Sequence, residues 1–257
     1  MSASDALVTG ATGQLGPALV AALRERGYGV RALSRRPGTD RVVADLSTGG
    51  GLAEAVDGCR VVVHAATDQH NTEAVDVEGT ERLADACKAA GVEHLVYVSI
   101  VGIDRNPIGY YRAKLTAEQR VARSGVPYSI VRASQFHSLV ATMLGKARRG
   151  PVCVVPAGWE IEPVATVDVA RHLADRAATG PSGAVSEFAG PERLGLRGVA
   201  RVWLAAGGGR AAVLPVPIPG KAARAFRMRS NIASPDAARG QVTWADWLSQ
   251  NAGLSSR

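Results

Sequence analysis

The chain has 257 residues, a formal net charge of +7 and a pI near 9.8. Apolar residues make up 46% of it and charged residues 21%, which suits a globular α/β protein with a sizeable core. The positive charge forms no like-charged run and no basic stripe interleaved with aromatic residues, so we expect no nucleic-acid partner. Cys59, Cys87 and Cys153 are dispersed and odd in number, which argues against a disulfide framework and against a metal site.

The N-terminal segment and the apolar runs argue against a membrane location. Residues 1–5 carry no basic region followed by an apolar stretch, so a signal peptide is not expected. No apolar run approaches the length that crosses a bilayer. We therefore expect a cytoplasmic protein that acts on a small molecule, without a membrane partner.

Strand and helix patterns alternate through the first half of the chain. We predict strands at 6–9, 28–33, 41–44, 61–65, 94–99 and 128–132, and helices at 13–26, 52–56, 72–90 and 110–123. Beyond residue 132 we predict helices at 136–149, 167–179, 196–206 and about 244–251, a strand at 185–189, short strands and turns in 151–163, and an extended proline-rich stretch at 215–219.

This alternation predicts an α/β fold, a Rossmann-type doubly wound parallel sheet with right-handed crossovers. A small C-terminal substrate-binding lobe completes the predicted architecture. We expect a single NAD(P)-binding domain over 1–257, with a core of about 4–135 plus 163–190. The substrate lobe then takes in about 136–162 and 191–257.

Three glycines, Gly10, Gly13 and Gly16, stand between the first strand and the first helix. A turn without Cβ atoms lets a pyrophosphate approach the backbone and the positive end of the following helix. Thr12, Gln14 and Leu15 belong to the same turn and are predicted to contact the cofactor. The Gly-x-x-Gly-x-x-Gly spacing resembles that of the short-chain dehydrogenase/reductases, and the resemblance implies a nicotinamide dinucleotide.

The end of the second strand indicates which dinucleotide is bound. It runs into Ser34, Arg35 and Arg36 and offers no carboxylate for the adenine-ribose hydroxyls. Guanidinium groups make bidentate contacts to phosphate, so these residues predict NADP(H) through its 2′-phosphate. The alternative is a solvated basic turn.

Residues after the third and fourth strands are predicted to complete the cofactor site. The resemblance implies that Asp45 meets the adenine amino group and that Leu46 lies against the ring, although Asp45 also suits a turn. Ala65 and Ala66 are expected to line the cofactor with their backbone. His64 is either a ligand-facing base or a packed side chain.

Tyr110 and Lys114 are four residues apart on a predicted helix and therefore share a face. Reduction of a carbonyl needs a proton, which a phenol supplies when a nearby ammonium lowers its pKa. Lys114 is also expected to contact the nicotinamide ribose, and Ser99 the substrate oxygen. These three residues resemble the Ser-Tyr-Lys set of the short-chain family, with Tyr111 as an alternative proton donor.

The short spacing between Ser99 and Tyr110 departs from the standard members of that family. It resembles instead the atypical, NmrA-like NAD(P)-binding branch, as do four segments: 76–80, 97–104, 132–137 and 188–192. Some members of this branch are NADP-binding sensors without turnover. The presence of Tyr110 favours an enzyme.

We therefore predict an NADPH-dependent reductase that transfers hydride to a carbonyl or quinone of a small apolar or aromatic substrate, with polyketides among the candidates. The alternative is a redox sensor acting through a protein partner. An epimerase or dehydratase is disfavoured because no acidic residue follows the second strand. Related folds imply a homodimer.

The segment after the sixth predicted strand is expected to carry further contacts. Ala133 is assigned to the cofactor, and Phe136, His137 and Trp159 to the substrate. His137 suits either a proton donor, because its charge changes near neutrality, or a structural residue at a helix start.

Overall fold

The computed structural model describes residues 5–207 and 211–251. Its strands are β1 (Ala6–Thr9), β2 (Val30–Ser34), β3 (Arg41–Val43), β4 (Val61–His64), β5 (His94–Ile100), β6 (Tyr128–Ala133), β7 (Arg148–Arg149), β8 (Val152–Pro156), β9 (Glu160–Ile161), β10 (Val185–Ala189), β11 (Leu194–Gly195), β12 (Ala212–Val216) and β13 (Ala238–Arg239). Its α-helices are α1 (Gly16–Glu25), α2 (Leu52–Val56), α3 (Glu78–Ala89), α4 (Gly109–Arg123), α5 (His137–Ala147), α6 (Thr166–Thr179), α7 (Leu196–Ala206), α8 (Lys221–Arg227) and α9 (Trp244–Gln250), and a π-helical turn, Glu73–Val77, precedes α3.

The central sheet has eight strands in the order β3-β2-β1-β4-β5-β6-β10-β13. Strand β1 pairs in parallel with β2 and with β4, and the pairs β2–β3, β4–β5 and β10–β13 are also parallel. The strand order reverses between β1 and β4, which is the point where ligands bind in open α/β sheets. The predicted Rossmann-type parallel sheet is confirmed.

The chain divides into two compact units. The first comprises Met1–Ile100, Gly109–Arg132 and Val169–Ser186, and the second Val101–Ile108, Ala133–Asp168 and Glu187–Arg257. In the first unit β4 is buried at every residue, as expected for a strand covered on both faces. The apolar face of α3 supplies Leu83, Ala84 and Cys87 to the same core.

Two predicted helices of the first unit differ from the structure. The first begins at Gly16 rather than at residue 13, because residues 10–15 form the turn itself, with Thr12, Gly13 and Gln14 exposed. The helix predicted at 72–90 is a π-helical turn followed by α3, and this π-helical turn buries Asp76 and Val77.

In the second unit, α5 and α7 pack against β8, and α9 packs against α7, in a core that includes Trp203 and Trp244. The helix predicted at 136–149 ends at Ala147, because Arg148–Arg149 pairs with β8 in an antiparallel ladder. Part of the proline-rich stretch is a strand: β12 pairs in parallel with β8. Pro215 is tolerated there because β12 is an edge strand. Helix α8 was not predicted.

Candidate active site

The glycine turn between β1 and α1 shows why these positions lack a Cβ. Gly10 has φ +69°, and a Cβ there would lie 2.7 Å from the backbone of Ala65 and Ala66. A Cβ on Gly16 would lie 2.3 Å from the Gly10 carbonyl oxygen. The Gly13 amide donates to that same oxygen at 2.9 Å. The backbone of the turn is therefore packed too closely for side chains at Gly10 and Gly16. Such a turn suits close approach of a pyrophosphate to the backbone.

A buried chain of hydrogen bonds fixes the loop that follows β4. The Thr9 hydroxyl lies 2.6 Å from His64 Nδ1 and accepts from the Ala66 amide at 3.2 Å. His64 Nε2 lies 2.9 Å from the Thr80 hydroxyl. Burial lowers the pKa of His64 to about 3, so the ring is neutral at physiological pH. Both ring nitrogens are engaged within the protein, which supports the packed role for His64 rather than the ligand-facing base.

The end of β2 exposes the two predicted phosphate-binding arginines. Arg35 and Arg36 both lie at the surface, and the Arg36 amide donates to the Ser34 hydroxyl at 3.1 Å. Asp45 accepts from the Ser47 amide and hydroxyl at 2.8 and 2.7 Å. These two bonds, followed by the charge of Arg35, hold the pKa of Asp45 below its usual value. Asp45 thus forms the turn that the sequence left open as its alternative role.

Leu46, next to Asp45, is buried in the core of the first unit. Its assignment to the adenine ring stays a prediction. The bonds from Ser47 use one oxygen of Asp45 only, so the assignment of Asp45 to the cofactor stays a prediction.

Tyr110 and Lys114 lie on α4 and converge on a carboxylate of the π-helical turn, Asp76. The Tyr110 hydroxyl lies 2.8 Å from the Thr67 hydroxyl, which donates to Asp76 Oδ1 at 2.7 Å. Lys114 Nζ lies 3.8 Å from the same oxygen and donates to the Val98 carbonyl at 3.0 Å. Thr67 directly follows Ala66, which contacts the glycine turn, so the predicted acid lies beside the predicted pyrophosphate turn.

Burial shifts the pKa of both α4 side chains. It lowers the pKa of Lys114 to about 8, against the opposing effect of Asp76 and Glu118. It raises the pKa of Tyr110 to about 12. The expectation that Lys114 lowers the pKa of Tyr110 is not met in this structure, because the ammonium faces Asp76 and the Val98 carbonyl.

Two further residues near this group bear on the chemistry. Ser99 is buried in β5, and its hydroxyl has no hydrogen-bond partner among the residues that the structure describes. The Tyr111 ring lies 6.3 Å from the Tyr110 ring, and burial raises its pKa as well. Of the two tyrosines, Tyr110 is the one whose hydroxyl contacts Thr67.

Asp76 and Thr67 were not predicted as functional residues. Asp76 appeared in the sequence only as part of a segment that carries the family resemblance. An acidic residue in a helical pattern is ordinarily solvated, whereas Asp76 has no exposed surface. Only the fold brings it to Lys114 and, through Thr67, to Tyr110.

The predicted substrate residues Phe136, His137 and Trp159 lie in the second unit. His137 is 1% exposed and packs 5.5 Å from the Trp244 ring and 5.6 Å from the Trp247 ring. Burial lowers its pKa to about 4, which favours the structural role over the proton donor. Trp159 stacks on Phe226 with ring centroids 4.3 Å apart.

Phe136 and Ala133 flank the end of β6 within the same unit. Phe136 is half-buried and forms an isolated parallel bridge with Val164, and Ala133 is buried. The contacts of both residues with ligands stay predictions. Across residues 5–207 and 211–251, no cluster of histidine, cysteine, aspartate and glutamate has the geometry to hold a metal ion.

A parallel sheet with a glycine turn at its switch point defines a nucleotide-binding α/β protein. A family model described as NAD(P)H-binding matches residues 10–175. The chain belongs to this NAD(P)H-binding family, and the predicted resemblance to the atypical, NmrA-like branch is confirmed. Binding of a nicotinamide dinucleotide is confirmed with it. No helix of the described ranges is long and apolar enough to cross a membrane.

Known proteins similar to the chain include reductases and an assembly factor. It is 33% identical over 205 residues to (4-alkanoyl-5-oxo-2,5-dihydrofuran-3-yl)methyl phosphate reductase of Streptomyces griseus, covering 74% of this chain and 70% of that protein. It is 31% identical over 144 residues to a photosystem II assembly factor of Cyanophora paradoxa, covering 51% of this chain but only 45% of that protein.

A solved structure shares the fold over nearly the whole chain. NADPH-dependent quinone oxidoreductase from Escherichia coli, complexed with NADPH, superimposes with a TM-score of 0.81. The match covers 96% of this chain and 99% of that chain at 20% identity. At this identity the likeness shows the fold alone.

Proposed function

We propose that the chain is an NADPH-dependent reductase that transfers hydride to a carbonyl or quinone of a small apolar or aromatic substrate. The observation that carries the proposal is the convergence of Tyr110 and Lys114 on Asp76. Tyr110 contacts Thr67, which directly follows Ala66 in the loop beside the glycine turn. Lys114 contacts Asp76, the carboxylate to which Thr67 donates. A protein that only binds a dinucleotide needs the turn but not this pair.

The residues of the first unit fit the cofactor. The turn over 10–16 would hold the pyrophosphate, since a Cβ at Gly10 or Gly16 would clash with the backbone. Arg35 at the exposed end of β2 would hold the 2′-phosphate, with Ser34 and Arg36 beside it. Bound NADPH supplies the hydride. Lys114 would donate to the nicotinamide ribose, since its ammonium has three N–H groups and the structure shows one of them donating to the Val98 carbonyl.

Side chains of the protein would supply the proton that the reduced substrate needs. Tyr110 gives its phenolic proton to the reduced oxygen of the substrate. The positive charge of Lys114, four residues along the same helix, would favour the phenolate that remains. The hydroxyl of Ser99, which has no partner in the described protein, would donate to the same substrate oxygen.

Two observations support a flat or apolar substrate. The second unit carries the stacked pair Trp159 and Phe226, whose apolar faces suit a ring system. A similar protein is named as a reductase of a phosphorylated oxo-dihydrofuran, which is an unsaturated ring. Aromatic polyketides belong to the same chemical class.

NADPH oxidation, followed by its absorbance against a panel of quinones and aromatic carbonyl compounds, tests the proposal. We expect turnover by the native protein and a fall of about 10²–10⁴-fold in Tyr110→Phe, the range for loss of a general acid. Tyr111→Phe, the matched control, should retain most of the activity. Tight NADPH binding without oxidation by any acceptor would support instead the sensor that acts through a protein partner.

A further inference from the structure

The π-helical turn before α3 buries a carboxylate completely. Asp76 has no exposed surface, and a buried ion costs several kcal/mol unless it is paired and hydrogen-bonded. Its Oδ2 accepts from the Asp68 amide at 3.0 Å. Its Oδ1 accepts from the Thr67 hydroxyl at 2.7 Å and lies 3.8 Å from Lys114 Nζ. Both oxygens are therefore engaged, and one of them faces the pair proposed for catalysis.

The hydrogen bond to Asp76 sets the direction of the next bond. An ionised carboxylate only accepts, so the single hydroxyl proton of Thr67 points at Asp76 Oδ1. The Tyr110 hydroxyl, 2.8 Å from Thr67 Oγ1, must then be the donor in their bond. Asp76 thus determines where the phenolic proton of Tyr110 points in the resting protein.

Lys114 depends on the same carboxylate for its charge. The side chain is 5% exposed, with Nζ 4.2 Å from the centroid of the Tyr97 ring. The other carboxylate that acts on Lys114 is Glu118, which is committed to a bidentate bond with Arg132 at 2.9 and 2.8 Å. Among the residues that the structure describes, Lys114 is the cation within ion-pair distance of Asp76, so it balances that carboxylate.

We propose that Asp76 is a positioning residue of this reductase: its charge holds Lys114, and through the Thr67 hydroxyl it orients Tyr110. The proposal rests on the proposed function for its catalytic consequence. When Tyr110 protonates the substrate oxygen, its O–H bond breaks and the O–H bond of the product forms. The Thr67 proton then turns from Asp76 to the phenolate, and Asp76 keeps Lys114 as its partner.

The groups that face this cluster come from four elements. Asp76 lies on the π-helical turn, His64 on β4, Tyr97 on β5, and Glu118 and Tyr111 on α4. His64 is neutral, and Glu118 is neutralised by Arg132. Asp76 is therefore the acidic group whose removal changes the charge beside Lys114 without breaking another ion pair.

The first test measures the charge of Lys114 directly in the cofactor-free protein. The chain has four lysines, Lys88, Lys114, Lys146 and Lys221, so selective lysine labelling gives four assignable side-chain signals in an NMR titration. We expect Asp76→Asn to lower the pKa of Lys114, which is about 8 in the native protein, by about one unit or more. Asp85→Asn, on the exposed side of α3, makes the same charge change and should leave it unaltered. An unchanged Lys114 titration in folded Asp76→Asn overturns the proposal.

The second test addresses the Thr67 bridge and also serves if Asp76→Asn fails to fold. Thr67→Val removes the hydroxyl but keeps Asp76 and Lys114, so the Lys114 titration should stay as in the native protein. We expect kcat to fall about 10-fold, the scale of one lost hydrogen bond, with KM little changed and with recovery in Thr67→Ser. Full kcat in Thr67→Val overturns the role of the bridge.

The two tests separate this proposal from the proposed function. The lysine titration needs no substrate and no turnover, so it decides whether Asp76 holds Lys114 even if no acceptor is reduced. Absence of NADPH oxidation in the native protein would defeat the reductase and, with it, the catalytic role of Thr67. A Lys114 pKa that responds to Asp76→Asn would still support the ion pair.

Discussion

Substitution of Gly10 by alanine should lower the unfolding free energy in two ways, through the backbone conformation of the turn between β1 and α1 and through steric contact. Gly10 has φ +69°, and its missing Cβ would lie 2.7 Å from the carbonyl carbon and oxygen of Ala65 and from the Ala66 amide. The left-handed conformation costs an L-residue roughly 1–2 kcal/mol. Contact with rigid backbone adds roughly 1–3 kcal/mol, the usual cost of overpacking.

Gly27 offers a matched control because it carries the first cost without the second. Its φ is +86°, and a Cβ there meets nothing within 4 Å. Gly27→Ala should therefore lose only the conformational part of the unfolding free energy, and Gly10→Ala should lose roughly 1–3 kcal/mol more. For a chain of this size each kcal/mol corresponds to roughly 2–4 °C in the melting temperature.

Urea unfolding of the two variants measures this difference, and NADPH titration measures its functional side. We expect Gly10→Ala to bind NADPH at least about 10-fold more weakly than Gly27→Ala, because relief of the clash moves Ala65 and Ala66 away from the turn. Equal unfolding free energies for the two variants would refute the claim that close backbone contact requires glycine at this position.

Two further predictions concern cofactor choice and acid stability. Arg35→Glu should reduce the preference for NADPH over NADH, measured as the ratio of dissociation constants, whereas Arg123→Glu on the exposed end of α4 should not; equal affinities in the native protein would contradict the assignment. The pKa of His64 falls from 6.5 to about 3 on folding, so the unfolded chain binds more protons and stability is lost as pH falls below 6.5. Between pH 7 and 5 this loss is about 2 kcal/mol, and His64→Gln should show correspondingly less loss in urea unfolding; an identical loss in both proteins would mean that His64 does not titrate in this way.

The local sequence pattern predicted correctly those elements whose structure depends on their own residues and not on distant partners. The bounds of β1, α2, β10 and α7 agree with the predicted ranges, because each is a short apolar or amphipathic segment between turn residues. The glycine turn and the position of Tyr110 and Lys114 on one helix were likewise predictable, since each rests on residue type at a fixed offset, whereas the role of Arg35 stays a prediction. The predicted homodimer and the cytoplasmic location stay predictions.

Elements that depend on distant partners were not predicted correctly. The helix predicted at 136–149 ends early because Arg148–Arg149 finds a strand partner in β8. The pairing of β12 with β8 likewise joins segments far apart in the chain. Hydrophobic periodicity in a short segment carries no information about pairing with a distant strand. The elements of the second unit were therefore harder to predict than those of the first.

Long-range contacts also explain why the sequence placed Tyr110 and Lys114 on one helix face but did not predict their contacts with Thr67 and Asp76. Spacing on α4 predicts a shared face, from which a direct effect of the ammonium on the phenol followed. In the fold, Asp76 stands between them, with Oδ1 3.8 Å from Lys114 Nζ and joined to Tyr110 through Thr67. The charge of Lys114 is therefore balanced by Asp76 and is not directed at the Tyr110 hydroxyl. Burial raises the pKa of Tyr110 to about 12, so we expect its phenol to stay un-ionised near neutral pH.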